Sequence, residues 1–198
     1  GDDFSNLGTY TAGVTTLSVA GDFTNDAAAT FTAGTGLVEF TGTAAQAVST
    51  GGDSFNNVEN KNTSADVTLA SAVTVAGTFN NDDGAVLALN GNNFTVTGSF
   101  TNGDTAGNTT AGIELIGTET ITLTAGQDTD SGTFTYVGNG TGTTLLTTIK
   151  DFGATDYYNL VINDTAGSNS DIFQMASAIT VAGDIAVTDG ELRAGSQT

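Results

Sequence analysis

The sequence predicts an all-β fold, and specifically a parallel β-helix (β-solenoid) with coils of about 21 residues. Three observations lead to this prediction: a composition that favours strands, a regular alternation of apolar and polar residues, and a phrase that returns after 21 positions. The stretch VTVAGTFNN at 73–81 returns as FTVTGSFTN at 94–102. Such a return is typical of solenoids, in which each repeat forms one turn of a coil.

The composition favours strands over helices. Hydrophobic residues make up 38% of the 198 residues, which is enough to build a core, while only 13% are charged. Threonine, asparagine and glycine supply much of the polarity, and threonine is β-branched and suits a pleated surface. Proline is absent, as expected where every inner strand donates its amides to a neighbour.

The alternation of apolar and polar residues has the period of a strand. Phe94 and Val96 are expected to point to one side, and Thr95 and Thr97 to the other. Runs of this kind end in Gly, Asn or Asp, which favour turns. A first phrase recurs as LSVAGDF at 17–23, VTVAGTF at 73–79, FTVTGSF at 94–100 and ITVAGDI at 179–185. A second, aromatic–Asn phrase recurs as FSNL at 4–7, FNNV at 55–58 and YNLV at 158–161.

Three short strands and three turns account for a 21-residue coil, so Val75 should stack near Val96 and Phe79 near Phe100. Residues 1–198 are then expected to form a single elongated solenoid domain, irregular around 104–150, where the phrases blur. The alternative is a pair of antiparallel β-sandwiches of about 100 residues each. Sandwiches share the alternation and the turn residues, but they do not predict the return after 21 positions.

Three stretches carry a resemblance to known proteins: GLVEFTGTAAQAVSTGGDSFNNVEN from 36, VTVAGTFNNDDGAVLALNGNNFTVTGSFTN from 73, and GTFTYVGNGTGTTLLTTIKDFGATDYYNLVIND from 132. They resemble the repeats of very long bacterial cell-surface proteins, which are adhesin-like or filament-forming chains with parallel β-helix repeats. The resemblance implies an exported, elongated structural or adhesive module at the cell surface. It implies no functional residue, and the irregular centre departs from a uniform repeat.

The charge balance argues against two classes of partner. The net charge is −19, and Lys61, Lys150 and Arg193 are the only basic side chains. Nucleic acids are bound by clustered Lys and Arg, which release phosphate counterions, and anionic lipids are attracted by the same kind of cluster. No apolar run approaches the length of a membrane span. We therefore expect neither a nucleic-acid partner nor membrane insertion.

The residue types also argue against an enzyme. There is no His and no Cys, so the commonest general base and the strongest thiol nucleophile are both missing. A glycosidase would need two carboxyls roughly 5–10 Å apart, and solvated turn carboxylates are the simpler interpretation of the acidic pairs. An enzyme acting on polysaccharide and an ice-binding protein remain the less favoured alternatives. Ice binding is disfavoured because the Thr-x-Thr pairs are not spaced by a constant coil length.

Two acidic turns are the candidate metal sites. GQDTDSG places Asp128 and Asp130 two residues apart, as in the first half of a calcium loop, and FNNDDG offers Asp82 and Asp83. The closing Glu of the helix–loop–helix calcium site is missing. No cofactor is expected to be required, and calcium is the candidate cation.

The predicted function is a structural module of an extracellular filament, stalk or surface layer. The final phrase stops before the strand that should follow it, and the chain opens at an aromatic–Asn phrase without a Met. A processed or excised chain is therefore expected, with open β-helix ends that allow head-to-tail self-association. The alternative is the binding module of an adhesin, recognising a glycan or a host surface through Thr, Asn and Asp in the turns.

The acidic turns yield a prediction about calcium. Because a cation that binds only the folded state stabilises it, about 1 mM calcium, the range of extracellular calcium modules, should raise the melting temperature. The control is sodium chloride at matched ionic strength. An unchanged melting temperature would contradict calcium binding by the folded chain.

Overall fold

The structure, a computed structural model, describes residues 1–165 and 171–195 and is a β-solenoid. Its parallel strands stack in about nine turns of roughly 21 residues, and no described residue is helical. Every strand pair within the described residues is parallel. The predicted fold is confirmed, and the antiparallel sandwiches are excluded.

The strands form three faces, each running along the axis of the coil. The long sheet holds nine strands, in spatial order β1 (Phe4–Asn6), β4 (Phe23–Asn25), β7 (Gln46–Ser49), β9 (Val67–Leu69), β12 (Val86–Ala88), β15 (Gly112–Leu115), β17 (Thr133–Tyr136), β19 (Asn159–Asn163) and β21 (Ile185–Asp189). The five-stranded sheet holds β3 (Thr16–Val19), β6 (Leu37–Phe40), β8 (Asn57–Asn60), β11 (Phe79–Asn81) and β14 (Phe100–Asn102).

The third face is divided into three short sheets. They are β2 (Thr9–Thr11) with β5 (Thr30–Thr32), then β10 (Val73–Val75) with β13 (Phe94–Val96) and β16 (Ile121–Leu123), then β18 (Leu146–Ile149) with β20 (Ile172–Met175) and β22 (Glu191–Ala194). Each strand of this face follows a strand of the long sheet in the chain, and no ladder joins β16 to β18.

The predicted stacking is confirmed in its named pairs. Val75 pairs with Val96, and Phe79 pairs with Phe100 with their rings stacked at a centroid separation of 5.6 Å. All four side chains are buried in one continuous core. Strands are three to five residues long, so each contributes only one or two inward side chains, and the core depends on stacking along the axis.

The coils widen in the second half of the chain, near the segment expected to be irregular. Most paired residues are 19 to 21 positions apart, as for Val73 and Phe94. Phe94, however, pairs with Ile121, 27 positions on, and Thr133 pairs with Asn159, 26 positions on. The extra residues lengthen the turns while the long sheet continues without interruption.

Buried asparagines extend the hydrogen-bonded ladders into side chains. In the five-stranded sheet the amide of Asn60 donates to Asn81 Oδ1 at 2.9 Å, and Asn81 donates in turn to Asn102 Oδ1 at 2.9 Å. In the long sheet Asn6 donates to Asn25 Oδ1 at 2.7 Å. The same amides also donate to backbone carbonyls of the next coil, as Asn81 does to Gly112 O at 3.1 Å. Because a buried amide without partners is costly, these ladders favour neighbouring coils in one register.

A second contact between coils explains the glycine of the Val–Ala–Gly phrase. An ideal Cβ at Gly77 would lie 2.4 Å from Asn57 Oδ1, in the coil before it. The same oxygen accepts the amide of Thr78 at 3.0 Å. The other two copies that read Val–Ala–Gly have an equivalent acceptor in the preceding coil. Asp3 Oδ1 accepts from Asp22 N at 2.9 Å beside Gly21, and Asn159 Oδ1 accepts from Asp184 N at 2.8 Å beside Gly183.

The phrase therefore marks a corner and not one particular face. In 73–79 it joins the third face to the five-stranded sheet, whereas in 17–23 it joins the five-stranded sheet to the long sheet. The aromatic–Asn phrases also differ in place, since Phe4 lies in the long sheet while Phe55 bridges to Val75. This is why their spacing of 51 positions is not a multiple of the coil length.

The corner contact predicts that Gly77→Ala is destabilising. The added methyl would collide with Asn57 Oδ1 and with Asn56 O at 2.8 Å, and overpacking of this kind costs about 1–3 kcal/mol. Urea denaturation followed by circular dichroism would measure the loss.

The matched control is Gly8→Ala, because a Cβ at Gly8 meets no atom within 4 Å and Gly8 is not among the glycines with a positive φ. Its free energy of unfolding should stay the same or rise slightly. Equal losses for the two variants would contradict a specific contact at Gly77.

Candidate functional site

The first and last coils expose side chains that elsewhere belong to the core. In the last coil Ile185 and Val187 pair with the fully buried Leu160 and Ile162, yet they are 55% and 50% exposed. The first coil shows the same contrast more weakly. Phe4 and Tyr10 are only half-buried, although they pair with the buried Phe23 and Phe31. Leu17 is half-buried as well and pairs with the buried Val38. The two ends of the described coil are thus apolar surfaces without a covering coil.

The outer side of the five-stranded sheet carries an acidic column. Glu39 and Glu59 are directly paired on adjacent strands, and like charges in that position repel each other. Lys61 bridges them, with its Nζ 2.7 Å from Glu39 Oε1 and 2.9 Å from Glu59 Oε2. The hydrogen bond and charge of Lys61 lower the pKa of Glu39, assisted by the Ser18 hydroxyl.

Asp82 and Asp83 lie in the turn after β11 and behave differently. Burial, together with the charges of Asp104 and Glu59, raises the pKa of Asp82 to about 6. Asp83 is half-buried, and hydrogen bonding by Thr105 lowers its pKa. The backbone amide of Thr105 donates to Asp83 Oδ1 at 3.2 Å. The ionised carboxylate of Asp82 thus destabilises the folded state at neutral pH, whereas the carboxylate of Asp83 stabilises a turn through its bond with Thr105.

Asp128 and Asp130 lie close together, and the oxygens of Asp128 already accept bonds from the protein. Asp128 Oδ2 accepts from Asn102 N at 2.9 Å and from Ser131 Oγ at 3.0 Å, and its other oxygen accepts from Asp130 N. Asp128 raises the pKa of the exposed Asp130 through a hydrogen bond and its charge. Across residues 1–165 and 171–195 no group of three or more carboxylates is arranged to hold a metal ion. Calcium binding at these turns stays a prediction.

A groove of about 290 Å³ lies on the third face where the ladder between β16 and β18 is missing. Ile121 of β16 lines one side, and Thr148 and Ile149 of β18 line the other. A shallower depression of about 180 Å³ adjoins it and shares Ile121, Lys150 and Asp151. The groove is therefore bordered by two strands that have no ladder between them.

Lys150 at the groove is the one basic side chain of the described residues that makes no salt bridge. Lys61 is held by two glutamates, and Arg193 is held by Glu191. The carboxylate of Asp151, beside Lys150, accepts from Gly153 N at 2.9 Å and from Ser177 Oγ at 2.5 Å. Nearby, Glu119 accepts three backbone amides, from Gly91, Ile116 and Gly117.

Two buried phenols hold the peptide of Lys150 in place. Lys150 N donates to the Tyr136 hydroxyl at 2.9 Å, and the Tyr157 hydroxyl donates to Lys150 O at 2.5 Å. The two hydroxyls are 3.1 Å apart. Burial raises the pKa of both phenols, so both stay protonated. Because the hydroxyl bonds go to the backbone, the Lys150 side chain is left facing the groove and solvent.

Sequence reasoning located the acidic turns but missed this groove and the buried asparagines. The asparagines carried a usable signal, because in F-x-N the amide has the same parity as the buried aromatic ring, as for Phe79 and Asn81. The groove had a weaker signal. The blurred phrases around 104–150 end at Lys150, and Lys150, unlike Lys61 and Arg193, does not lie two positions after a glutamate.

Asp82 predicts a specific pH dependence. Its folded pKa of about 6 lies above the ordinary value of 3.8, so the folded state gains stability at this group as pH falls through that window. Asp82→Asn should therefore raise the melting temperature at pH 7.5, and the advantage over the parent should shrink below pH 6 and vanish near pH 4. The opposite sign is expected for Asp83→Asn, whose parent carboxylate has a lowered pKa. Thermal unfolding at several pH values would test both, and equal shifts for the two variants would contradict this assignment.

No protein family, curated protein or solved structure shows a significant match to this chain. The described residues contain no helix of the length and apolarity that crossing a membrane requires. The functional proposals therefore start from the geometry of the coil, its ends and its groove.

Proposed function

We propose that this protein is a structural module of an extracellular filament, stalk or surface layer, and that copies stack head to tail through the first and last coils. The observation that carries the proposal is that core positions are incompletely covered at both ends of the described coil, with Ile185 and Val187 exposed at one end and Phe4, Tyr10 and Leu17 half-buried at the other. The extracellular setting is supported by the resemblance of the repeats to those of bacterial cell-surface chains. The function is then mechanical, since parallel ladders and stacked side chains transmit force along the axis.

The two ends have matching chemistry. The first coil presents Phe4, Tyr10 and Leu17, which pack against the core from one side only. The last coil presents Ile185 and Val187. Placing one end on the other would bury both sets of apolar side chains, which is favourable at roughly 25 cal/mol per Å² of apolar surface.

The backbone can continue across the same joint. Among the strands of the described residues, β1 and β21 are the two outermost of the long sheet. Pairing β21 of one copy with β1 of the next would continue the sheet by strand addition. Because the joint is a translation along the axis with two different surfaces, it does not close on itself and generates a filament.

Charge opposes this joint at low ionic strength. Asp2 and Asp3 lie beside the first coil, and Asp184, Asp189 and Glu191 lie in or next to the strands of the last one. Like charges near a surface repel less when salt screens them. Assembly is therefore expected to lengthen as salt is added.

Sedimentation velocity with negative-stain electron microscopy tests the proposal. The chain should form end-to-end oligomers of one width whose length grows over a roughly hundredfold rise in concentration and grows further with sodium chloride. A double variant, Ile185→Asp with Val187→Asp, should stay monomeric, because charge replaces the apolar end surface.

The matched control is Leu146→Asp, which makes the same kind of change at a residue that is 61% exposed but lies in β18, away from both ends. It should assemble as the parent does. Particles that stay monomeric in the parent, or loss of assembly in the Leu146 variant alone, would overturn the head-to-tail joint. Circular dichroism would verify that all variants keep the β fold.

A further inference from the structure

We propose that the groove between β16 and β18 binds a neutral sugar unit, with Lys150 and Asp151 as its polar anchors. This inference goes beyond the structural role and does not depend on it, since the groove lies on the side of the coil and not at its ends. It rests on four features: the broken ladder, the mixture of donors and acceptors, the rigid mounting of Lys150, and the size of the groove.

The broken ladder makes the groove a feature of the fold and not a surface irregularity. Within the described chain the third face is interrupted twice, between β5 and β10 and between β16 and β18, and the groove lies at the second interruption. The interruption follows the coil of 27 positions that separates Phe94 from its partner Ile121 in β16. Strand edges without neighbours carry backbone donors and acceptors that a ligand can use.

The side chains around the groove suit hydroxyl groups. A hydroxyl both donates and accepts, so a site for a polyol needs donors and acceptors close together. Lys150 supplies a charged donor, and Asp151 supplies carboxylate oxygens that accept from Gly153 N and Ser177 Oγ and have further lone pairs. Thr148 adds a hydroxyl at the rim. Buried Leu115, Ile121 and Ile149 supply apolar surface for the C–H groups of a sugar ring.

The charges favour a neutral ligand over an anion. Two carboxylates, Glu119 and Asp151, line the groove beside the single ammonium of Lys150, and the whole chain carries −19. An anionic ligand would meet net negative charge both locally and at long range. A neutral polyol meets no such penalty and uses both kinds of group.

The mounting of Lys150 is pre-organised. Its N–H and C=O are both bound by the buried phenols of Tyr136 and Tyr157, so the backbone that carries the anchor is fixed before any ligand arrives. Fixed anchors lower the entropic cost of binding. The groove volume of about 290 Å³ lies at the small end of ligand sites, which suits one or two sugar rings and not a long chain segment.

Nuclear magnetic resonance on the ¹⁵N-labelled full chain tests this site. The probes are the methyl glycosides of glucose, galactose, mannose and N-acetylglucosamine, with methyl glucuronide as the anionic arm, each at about 10 mM, because single sugar units bind with dissociation constants near 1 mM. At least one neutral glycoside should shift the amides of Lys150, Asp151 and Ser177. Lys150→Gln should weaken that binding by about tenfold, the cost of losing one charged hydrogen bond.

Lys61→Gln is the matched control, since it removes the same charge from the acidic column and leaves the groove intact. It should bind the glycoside as the parent does. Three results would overturn the proposal: no neutral glycoside shifts these amides, only the glucuronide does, or both lysine variants weaken binding equally. If the amide chemical shifts of Tyr136 and Tyr157 are the same in Lys150→Gln as in the parent, the fold around the groove is kept.

Discussion

The fold depends on hydrogen bonding along the axis, from each coil to the next. With strands of only three to five residues, no single coil can bury a core alone, so each turn is stable only when its neighbours cover it. The buried amides of Asn60, Asn81 and Asn102 continue the backbone ladder through side chains. At the corners, an acceptor oxygen occupies the space left by a glycine in the coil above. The asparagine ladders and the glycine corners both fix the register between coils, and this register aligns the apolar side chains in the core.

This dependence links the two functional proposals. Where the axial ladder has no further neighbour, as at β1 and β21, the coil presents core side chains and strand edges that suit another coil. Where the ladder is interrupted between β16 and β18, the space is lined by both polar and apolar groups and is too small for a coil. The first kind of opening favours assembly, and the second favours a small polar ligand. The acidic surface weakens the first by repulsion and selects against anions in the second.

Much of the architecture could be predicted from the sequence, because apolar spacing within a strand and repetition between coils are local patterns. The pairing of Val75 with Val96 follows directly from the 21-residue return. The role of Gly77 could not be predicted, since it depends on Asn57 lying 20 positions earlier in another turn. The same limit applies to the groove, because Ile121, Lys150 and Ser177, which line it, lie in three successive coils. The metal prediction named Asp128, and the structure shows its oxygens already bonded to the protein.

Distances between pairs of spin labels, measured by electron paramagnetic resonance, test the stacking of the coils along the axis most directly. The chain has no Cys, so labels can be placed uniquely at Ala47 and, in separate variants, at Thr135, Val161 or Ala186. These residues lie in one outward column of the long sheet, linked by the pairings through β7, β9, β12, β15, β17, β19 and β21. At about 4.8 Å per coil, the distances should rise in even steps from about 19 Å to about 24 Å and about 29 Å. Distances that fail to increase with each added coil would contradict the axial stacking on which the account depends.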